Sequence, residues 1–319
     1  MSLFTLLIKK KKATDMVPKA CEIGIAITTY NRKEMVCALV ERIRQLTKEN
    51  YFLVVCDDGS TDGTIEALKK LGVTVIGGIN KGIAWNKNRG LFFFSNICRA
   101  DSIILMDDDV FPNMFGWAQE WAYGSHRVGH VNYVPHFYDR SSPRRPMTAM
   151  NLGVGHMIGG MLLAQNAKAL ASVGYMDTRF GRYGHEHTDF SLRFLRAGFG
   201  GVRVLWNGEM HNRFYLMDSG IELKEAKSSG QKADLERNAN LLTALEKEPI
   251  YRSAWNNEEE KRDFLQEFGA GFFEMEAPPL AGTVFNADSY LSLNPDISHS
   301  GWDGFAHYIE HGLRENRKF

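Results

Sequence analysis

Three short apolar runs in this chain each end abruptly in polar or acidic residues, and that repetition narrows the folds open to it. Residues 23–28 (Ile-Gly-Ile-Ala-Ile-Thr) stop at Thr29-Tyr30-Asn31-Arg32, residues 52–56 stop at Asp57-Asp58-Gly59-Ser60, and residues 102–106 stop at Asp107-Asp108-Asp109. Short, β-branched apolar runs read as buried strands. Between them lie stretches with helical spacing: 34–46, with Val36, Leu39, Val40 and Ile43 one helical face apart, then about 64–71, and 91–98 after the glycine-bearing segment 80–90. A further strand is predicted at 73–76. Strands alternating with helices predict an α/β fold, a Rossmann-like, mostly parallel central sheet with helices on both faces. Ligands of such sheets sit beyond the carboxyl ends of the strands, where all three polar stops fall.

Bulk properties remove other classes. With 44% hydrophobic and 12% aromatic residues the chain can bury a large core, so wholesale disorder is excluded. The 38 basic and 38 acidic residues cancel to a formal charge of +0, which gives no support to a nucleic-acid partner. The four cysteines, Cys21, Cys37, Cys56 and Cys98, form no CxxC pair and read as buried free thiols in a reducing compartment. No apolar run approaches the ~20 residues of a membrane-spanning helix. The opening puts apolar residues 3–8 before Lys9 to Lys12, the reverse of a secretory signal. The expected location is therefore cytoplasmic, with peripheral association at the inner face of a membrane a further reading of that basic opening.

Farther along, residues 132–146 read as a long surface loop, 189–197 as a helix, 201–206 as a strand leading to His211, and 222–247 as strongly helical. Ala277-Pro278-Pro279 marks a boundary. The expected organisation is an N-terminal extension over 1–20, a main domain over 21–250, a linker or helical extension over 251–281 and a small helical module over 282–319.

The motifs carry chemistry or local structure. Asp107-Asp108-Asp109 at a strand end is either a solvated acidic turn or a holder for a hard divalent ion, Mn2+ or Mg2+, whose open positions take diphosphate oxygens. Asp57 and Asp58 either begin a turn capped by Ser60, Thr61 and Asp62 or place a carboxylate against a base edge. The segment 80–90 supplies glycines with Lys81, Lys87 and Arg89, and arginine's fork suits diphosphate. Residues 181–193 pack His185, Glu186, His187 and Asp189 behind two glycines, without the spacing of a zinc hydrolase. That cluster suits deprotonation of an alcohol. His211 offers a neutral imidazole as a further metal ligand.

In this order, over roughly residues 21 to 215, the segments resemble family 2 glycosyltransferases and the wider GT-A superfamily with its DxD motif. The resemblance implies that Thr28, Tyr30 and Arg32 wrap the nucleotide base and that Asp58 lies near uracil. It implies that Asn80, Lys81, Gly82 and Arg89 serve the donor, and that Asp107 and Asp108 lie at the ribose and diphosphate. Asp109, Asp107 and His211 are then the implied metal ligands. The acceptor-side motif of many inverting members ends in Asp, where this chain has His187, so Glu186, His187 or Asp189 is the candidate base. Residues 285–317 resemble a short repeat attached to bacterial polysaccharide enzymes.

The function so implied is metal-dependent, inverting transfer of a hexosyl or N-acetylhexosaminyl group from a UDP-sugar to a hydroxyl of a carbohydrate or glycoconjugate acceptor, in bacterial polysaccharide synthesis. Two other readings stand beside it: a catalytically silent nucleotide-sugar or glycan-binding module, suggested by His187 at the base position, and a nucleotidyltransferase. The latter would show a glycine-rich phosphate loop after the first strand, and residues 29–32 contain no glycine.

Overall fold

A computed structural model describes residues 22–135, 146–224, 232–269, 273–274, 287–302, 304–307, 311 and 317. Cys21, the basic opening, the middle of the expected loop and the Ala277-Pro278-Pro279 boundary lie outside the described residues. The chain divides into two compact units, one spanning Ala20–Glu274 and one taking in Met275–Phe319.

The larger unit begins as the alternation predicts. Strand β1 (Ile23–Thr29) is followed by α1 (Lys33–Leu46), β2 (Tyr51–Asp57), α2 (Thr64–Lys70), β3 (Thr74–Gly77), α3 (Ile83–Phe92) and β4 (Ser102–Asp107). Strands β3, β2, β1 and β4 lie side by side and parallel, and β1 is buried along its whole length. Helix α1 covers one face with Val36, Leu39, Val40 and Ile43, the predicted stripe. Helix α3 covers the other. Its Gly90 lies so close to the sheet that an added Cβ would stand 2.5 Å from the Ala26 Cβ.

Beyond β4 the chain leaves the simple alternation. After β5 (Val110–Pro112), α4 (Trp117–Val128), β6 (His130–Tyr133) and β7 (Gly153–Gly155) comes β8 (Leu162–Asn166), which runs antiparallel between β4 and β6. Then follow α5 (Ala167–Val173), α6 (Glu186–Arg196), the hairpin of β9 (Gly201–Trp206) and β10 (Glu209–Met217), and β11 (Ile221–Leu223). Helices α7 (Lys232–Leu245) and α8 (Glu258–Gly269) and the edge strand β12 (Phe273–Glu274) complete the unit. The central sheet has ten strands, in the order β12-β3-β2-β1-β4-β8-β6-β10-β7 with β9 on β10.

Several boundaries differ from the sequence reading. The helix expected at 91–98 starts instead at Ile83, because Gly82 turns the chain at φ 97° and the Asp58 carboxylate accepts the N–H groups of Lys81 and Gly82 just before the first turn. It then widens into a π-helical turn over Phe93–Ile97, which buries Phe93 and Phe94. Helix α6 begins three residues earlier than expected, behind His185 at φ 68°. The stretch 222–247 is not one helix: Glu222 pairs with Phe111 across β5 and β11, and the helix runs only over Lys232–Leu245. Of the expected loop at 132–146, Asn132 and Tyr133 belong to β6.

In the smaller unit, α9 (Ala287–Leu293), α10 (Pro295–His299) and α11 (Gly304–His307) meet around Tyr290, whose hydroxyl lies 2.8 Å from His307 Nδ1. Of the described cysteines, Cys56 and Cys98 are buried and Cys37 is half-buried. Among the described residues no helix is long and apolar enough to cross a membrane.

Candidate functional site

The register of β1 with its neighbours gathers the first polar stops into one row. Thr29 stands opposite Asp57, and Thr28 opposite Asp107. Thr28 Oγ1 donates to Asp107 Oδ1 at 2.9 Å and Thr29 Oγ1 to Asp108 Oδ2 at 2.7 Å. The acid triplet holds two cations. Arg32 Nη1 lies 3.0 Å from Asp108 Oδ1 and 3.1 Å from Asp109 Oδ2, and Lys87 Nζ lies 3.0 Å from Asp107 Oδ1. Burial and the Asp107 carboxylate push Asp109 up against the pull of Arg32, and burial pushes Asp108 up to about 7 against the pull of Thr29 and Arg32. Asp109 Oδ1 is buried with no hydrogen-bond partner.

The loops around this row are latched to one another. Asn31, at φ 51°, donates its N–H to Ser60 Oγ and accepts the Thr61 N–H, while Lys33 N–H donates to Asp62. Tyr30 stands 47% exposed at the rim. Asp58 is heavily engaged, accepting from the Lys81 and Gly82 N–H groups and from Arg89 Nη1 at 3.0 Å, so its first role is to hold the turn at 79–82. Asp57 keeps a buried oxygen, Oδ2, with no partner. Asn80 is exposed on the same turn.

Arg89 stands apart from the diphosphate role that the resemblance implies. It is fully buried, and its guanidinium is bonded to Glu267, Asp58, Asn86 and two backbone carbonyls. The reason is its place on α3, whose early start turns Arg89 toward the sheet. Lys87, two residues before, is the cation that α3 brings to the acids, beside Arg32. It is 1% exposed and also bonds the Gly160 carbonyl.

On the side that the resemblance assigns to the acceptor, Glu186 opens α6 and is buried. Its Oε1 lies 3.1 Å from His187 Nδ1, and its Oε2 has no partner. Burial raises its pKa, but the His187 hydrogen bond and the charges of His187 and Lys87 outweigh that and bring it down to about 2. The ring of His187 packs where a Cβ on Gly160 would stand, 2.8 Å away. Asp189 is committed elsewhere: it holds Arg193 Nε at 2.7 Å, and Arg193 in turn bonds three backbone carbonyls. A cavity of about 400 Å³ beside α6 is lined by Asp189, Leu192, Arg196, Arg203, Met210 and Leu242.

His211 is not brought to the acids. It lies within β10, opposite Val204 in the hairpin, five residues and so about 17 Å of strand from Leu216, which pairs with β6. Among the described residues no three His, Cys, Asp or Glu side chains gather as a metal cluster, so the set Asp107, Asp109 and His211 is not assembled. A divalent ion nonetheless fits the acids alone. The partnerless Asp109 Oδ1 and the half-exposed Asp107 are hard oxygen donors, and Mg2+-like ions commonly take one or two carboxylates with phosphate oxygens and water completing the shell.

Two participants escaped the sequence reading. Lys87 was visible among the cations of 80–90, but which of them meets the acids depends on where α3 starts. Glu267 gave no local signal, lying 178 residues from Arg89 in sequence.

Residues 24–158 match the family model described as glycosyl transferase family 2. An uncharacterized glycosyltransferase of Haemophilus influenzae is 33% identical over 89 residues, which span 27% of this chain and 29% of that protein. Among solved structures, a mannosyltransferase from Pyrobaculum calidifontis in complex with GDP-Man and Mn2+ covers 98% of this chain and 85% of its own, at 15% identity and a TM-score of 0.44. Glucosyl-3-phosphoglycerate synthase from Mycobacterium tuberculosis, with Mn2+, UDP and phosphoglyceric acid, covers 49% of this chain and 60% of its own, at 15% identity and a TM-score of 0.35.

Proposed function

From the match of residues 24–158 to the model described as glycosyl transferase family 2, we propose that the chain is a member of that family, has the GT-A fold and transfers a sugar from a UDP-sugar to a hydroxyl of a carbohydrate or glycoconjugate. One observation carries this reading. The buried ammonium of Lys87 bonds Asp107 on the donor side while its charge acts on Glu186 on the acceptor side, so the two halves of a transfer reaction share one cation.

The base rests against the rim formed by Tyr30, Asn80, Asp57 and Asp58. Asp58 has one lone-pair direction left for an imide N–H after its three present donors. Asp107 and Asp109 would hold a divalent ion, Mn2+ or Mg2+, and the chemistry it would supply is neutralisation of the leaving diphosphate as a Lewis acid. Lys87 and Arg32, now on the acids, supply the further positive charge that the diphosphate needs. Glu186 stays ionised at neutral pH, and its partnerless Oε2 takes the proton of the acceptor hydroxyl. His187 fixes the carboxylate through Oε1. The acceptor oxygen, its proton passed to Glu186, then attacks the anomeric carbon as the bond to the diphosphate breaks, a single displacement that inverts configuration.

The test is turnover with a panel of nucleotide sugars and Mn2+, comparing the parent with Glu186→Gln. Turnover should fall by about 100-fold or more, as for loss of a general base, while UDP affinity stays within a few-fold. A parent that binds donor but neither transfers nor hydrolyses it would favour the silent binding module. Full activity in Glu186→Gln would remove Glu186 as the base.

A further inference from the structure

We propose that Glu267, on α8 and outside the family-matched segment, is a positioning residue of the nucleotide site, acting through Arg89 to set Asp58 and the turn at 79–82. This rests on the donor reading given above. The chain of contacts is continuous. Glu267 Oε2 accepts Arg89 Nε at 2.8 Å and Oε1 accepts Arg89 Nη2 at 2.8 Å, a bidentate pair, and both oxygens lie 3.2 Å from the Trp85 indole N–H. Arg89 passes the constraint on. Its Nη1 donates to Asp58 Oδ1 at 3.0 Å and its Nη2 to the Ile79 carbonyl at 3.2 Å. Asp58 in turn binds the Lys81 and Gly82 N–H groups at 3.1 and 2.9 Å.

A second observation on a separate strand end agrees. A Cβ on Gly78 would lie 2.1 Å from Glu267 Oε1 and 2.8 Å from Arg89 Nη2, so only glycine leaves room for this pair. Helix α8 is also fastened to the site's other segments along one face. Asp263 bonds Lys81 at 3.0 Å and Glu260 accepts from Thr178 at 2.8 Å, and residues 260, 263 and 267 share a helical stripe. Phe264 packs edge-on to Trp85 at 5.2 Å.

A buried arginine needs a fixed counter-charge, and a carboxylate engaged on both oxygens holds it in one place. Without Glu267 the guanidinium keeps Asp58 as its one carboxylate partner, and the arginine that holds Asp58 and the Ile79 carbonyl loses the bidentate contact that fixes it. The acid triplet, held by Thr28, Thr29, Arg32 and Lys87, does not depend on this chain of contacts.

The experiment separates base binding from diphosphate binding. Calorimetry measures UDP with Mn2+ and inorganic diphosphate with Mn2+ on the parent, Glu267→Gln, Gly78→Ala and the double variant Arg89→Met/Glu267→Leu. The double variant removes both buried charges together, a change that often leaves stability intact, and so keeps the test usable where a single variant fails to fold. Expected is a loss of UDP affinity of about tenfold or more in every folded variant, the size of one charged hydrogen-bond partner lost, with diphosphate affinity nearly kept. Unchanged UDP affinity in the folded variants overturns the proposal. So does an equal loss for both ligands, or a double variant that regains stability and UDP binding together, because either marks Glu267 as merely structural. A parent that binds diphosphate but not UDP overturns the nucleotide reading itself, and this proposal with it.

Discussion

Lys87 shows how far burial alone specifies a residue's task. A 1% exposed ammonium persists only against fixed negative charge, and it has Asp107 at 3.0 Å with Glu186 within electrostatic reach. His130 shows the opposite solution. In β6 it is fully buried, stacked on Phe194 at 4.2 Å with Nε2 2.9 Å from Ser191 Oγ, and burial lowers its pKa to about 3. It is therefore neutral in the folded state. Its folded pKa lies below the unfolded value of 6.5, so as pH falls below 6.5 the unfolded chain takes up a proton that the folded chain refuses, and stability is lost progressively down to about pH 3. The slope from this one group is roughly 1 kcal/mol per pH unit. Denaturation midpoints at pH 7 and pH 5 should differ less in His130→Phe than in the parent; equal differences would assign the acid sensitivity elsewhere. At this scale the sequence showed which residues are acidic strand stops, because Asp57 and Asp107 need only their strand ends to be placed. It did not separate Lys87 from Arg89, because two residues on a helix point in different directions and the start of that helix was unknown.

Elements were legible where periodicity was strong and illegible where pairing was long-range. β1, α1, β2 and β4 lie close to where their patterns put them, since each buries a continuous run or a clean stripe. β11 was read as helix because Glu222 acquires its strand character only from Phe111, 111 residues earlier. The contact of α3 with the sheet gives a sharp expectation. A Cβ added at Gly90 would stand 2.5 Å from the Ala26 Cβ, inside contact distance, and an obstacle that is itself a Cβ cannot swing aside. Gly90→Ala should destabilise by about 1–3 kcal/mol through overpacking, against the small gain in helix propensity that alanine normally brings. A urea midpoint equal to or above the parent's would show that α3 can shift without cost. A shift of α3 would carry Lys87 away from Asp107, so UDP affinity should fall as well.

Across the whole molecule, ligand linkage tests the donor assignment without any knowledge of the acceptor. UDP with Mn2+ at about 100 times its dissociation constant should stabilise the fold by about 2.7 kcal/mol, a melting shift of about 5 °C for a unit of this size. EDTA should reverse it, and the same concentration of GDP should shift it less. A shift that survives chelation would detach nucleotide binding from the metal. The direction of one strand has a reach of its own. β8 runs against β4, with Met106 opposite Leu162 and Ser102 opposite Asn166, so the chain enters β8 at the end where β4 delivers its acids. Had β8 run the other way, its entrance at Gly160 would open on the far edge of the sheet, about 17 Å off, and neither the Lys87 bond to Gly160 nor the seat of His187 against that glycine could form. The polarity of a five-residue segment thus brings Gly160 and His187 to the sheet edge that carries the acids, which is where the proposed function needs a second substrate. Under the proposed function the two halves are also separately editable: exchange of residues 157–196 should change which hydroxyl is accepted while the strands proposed to read the nucleotide stay as they are.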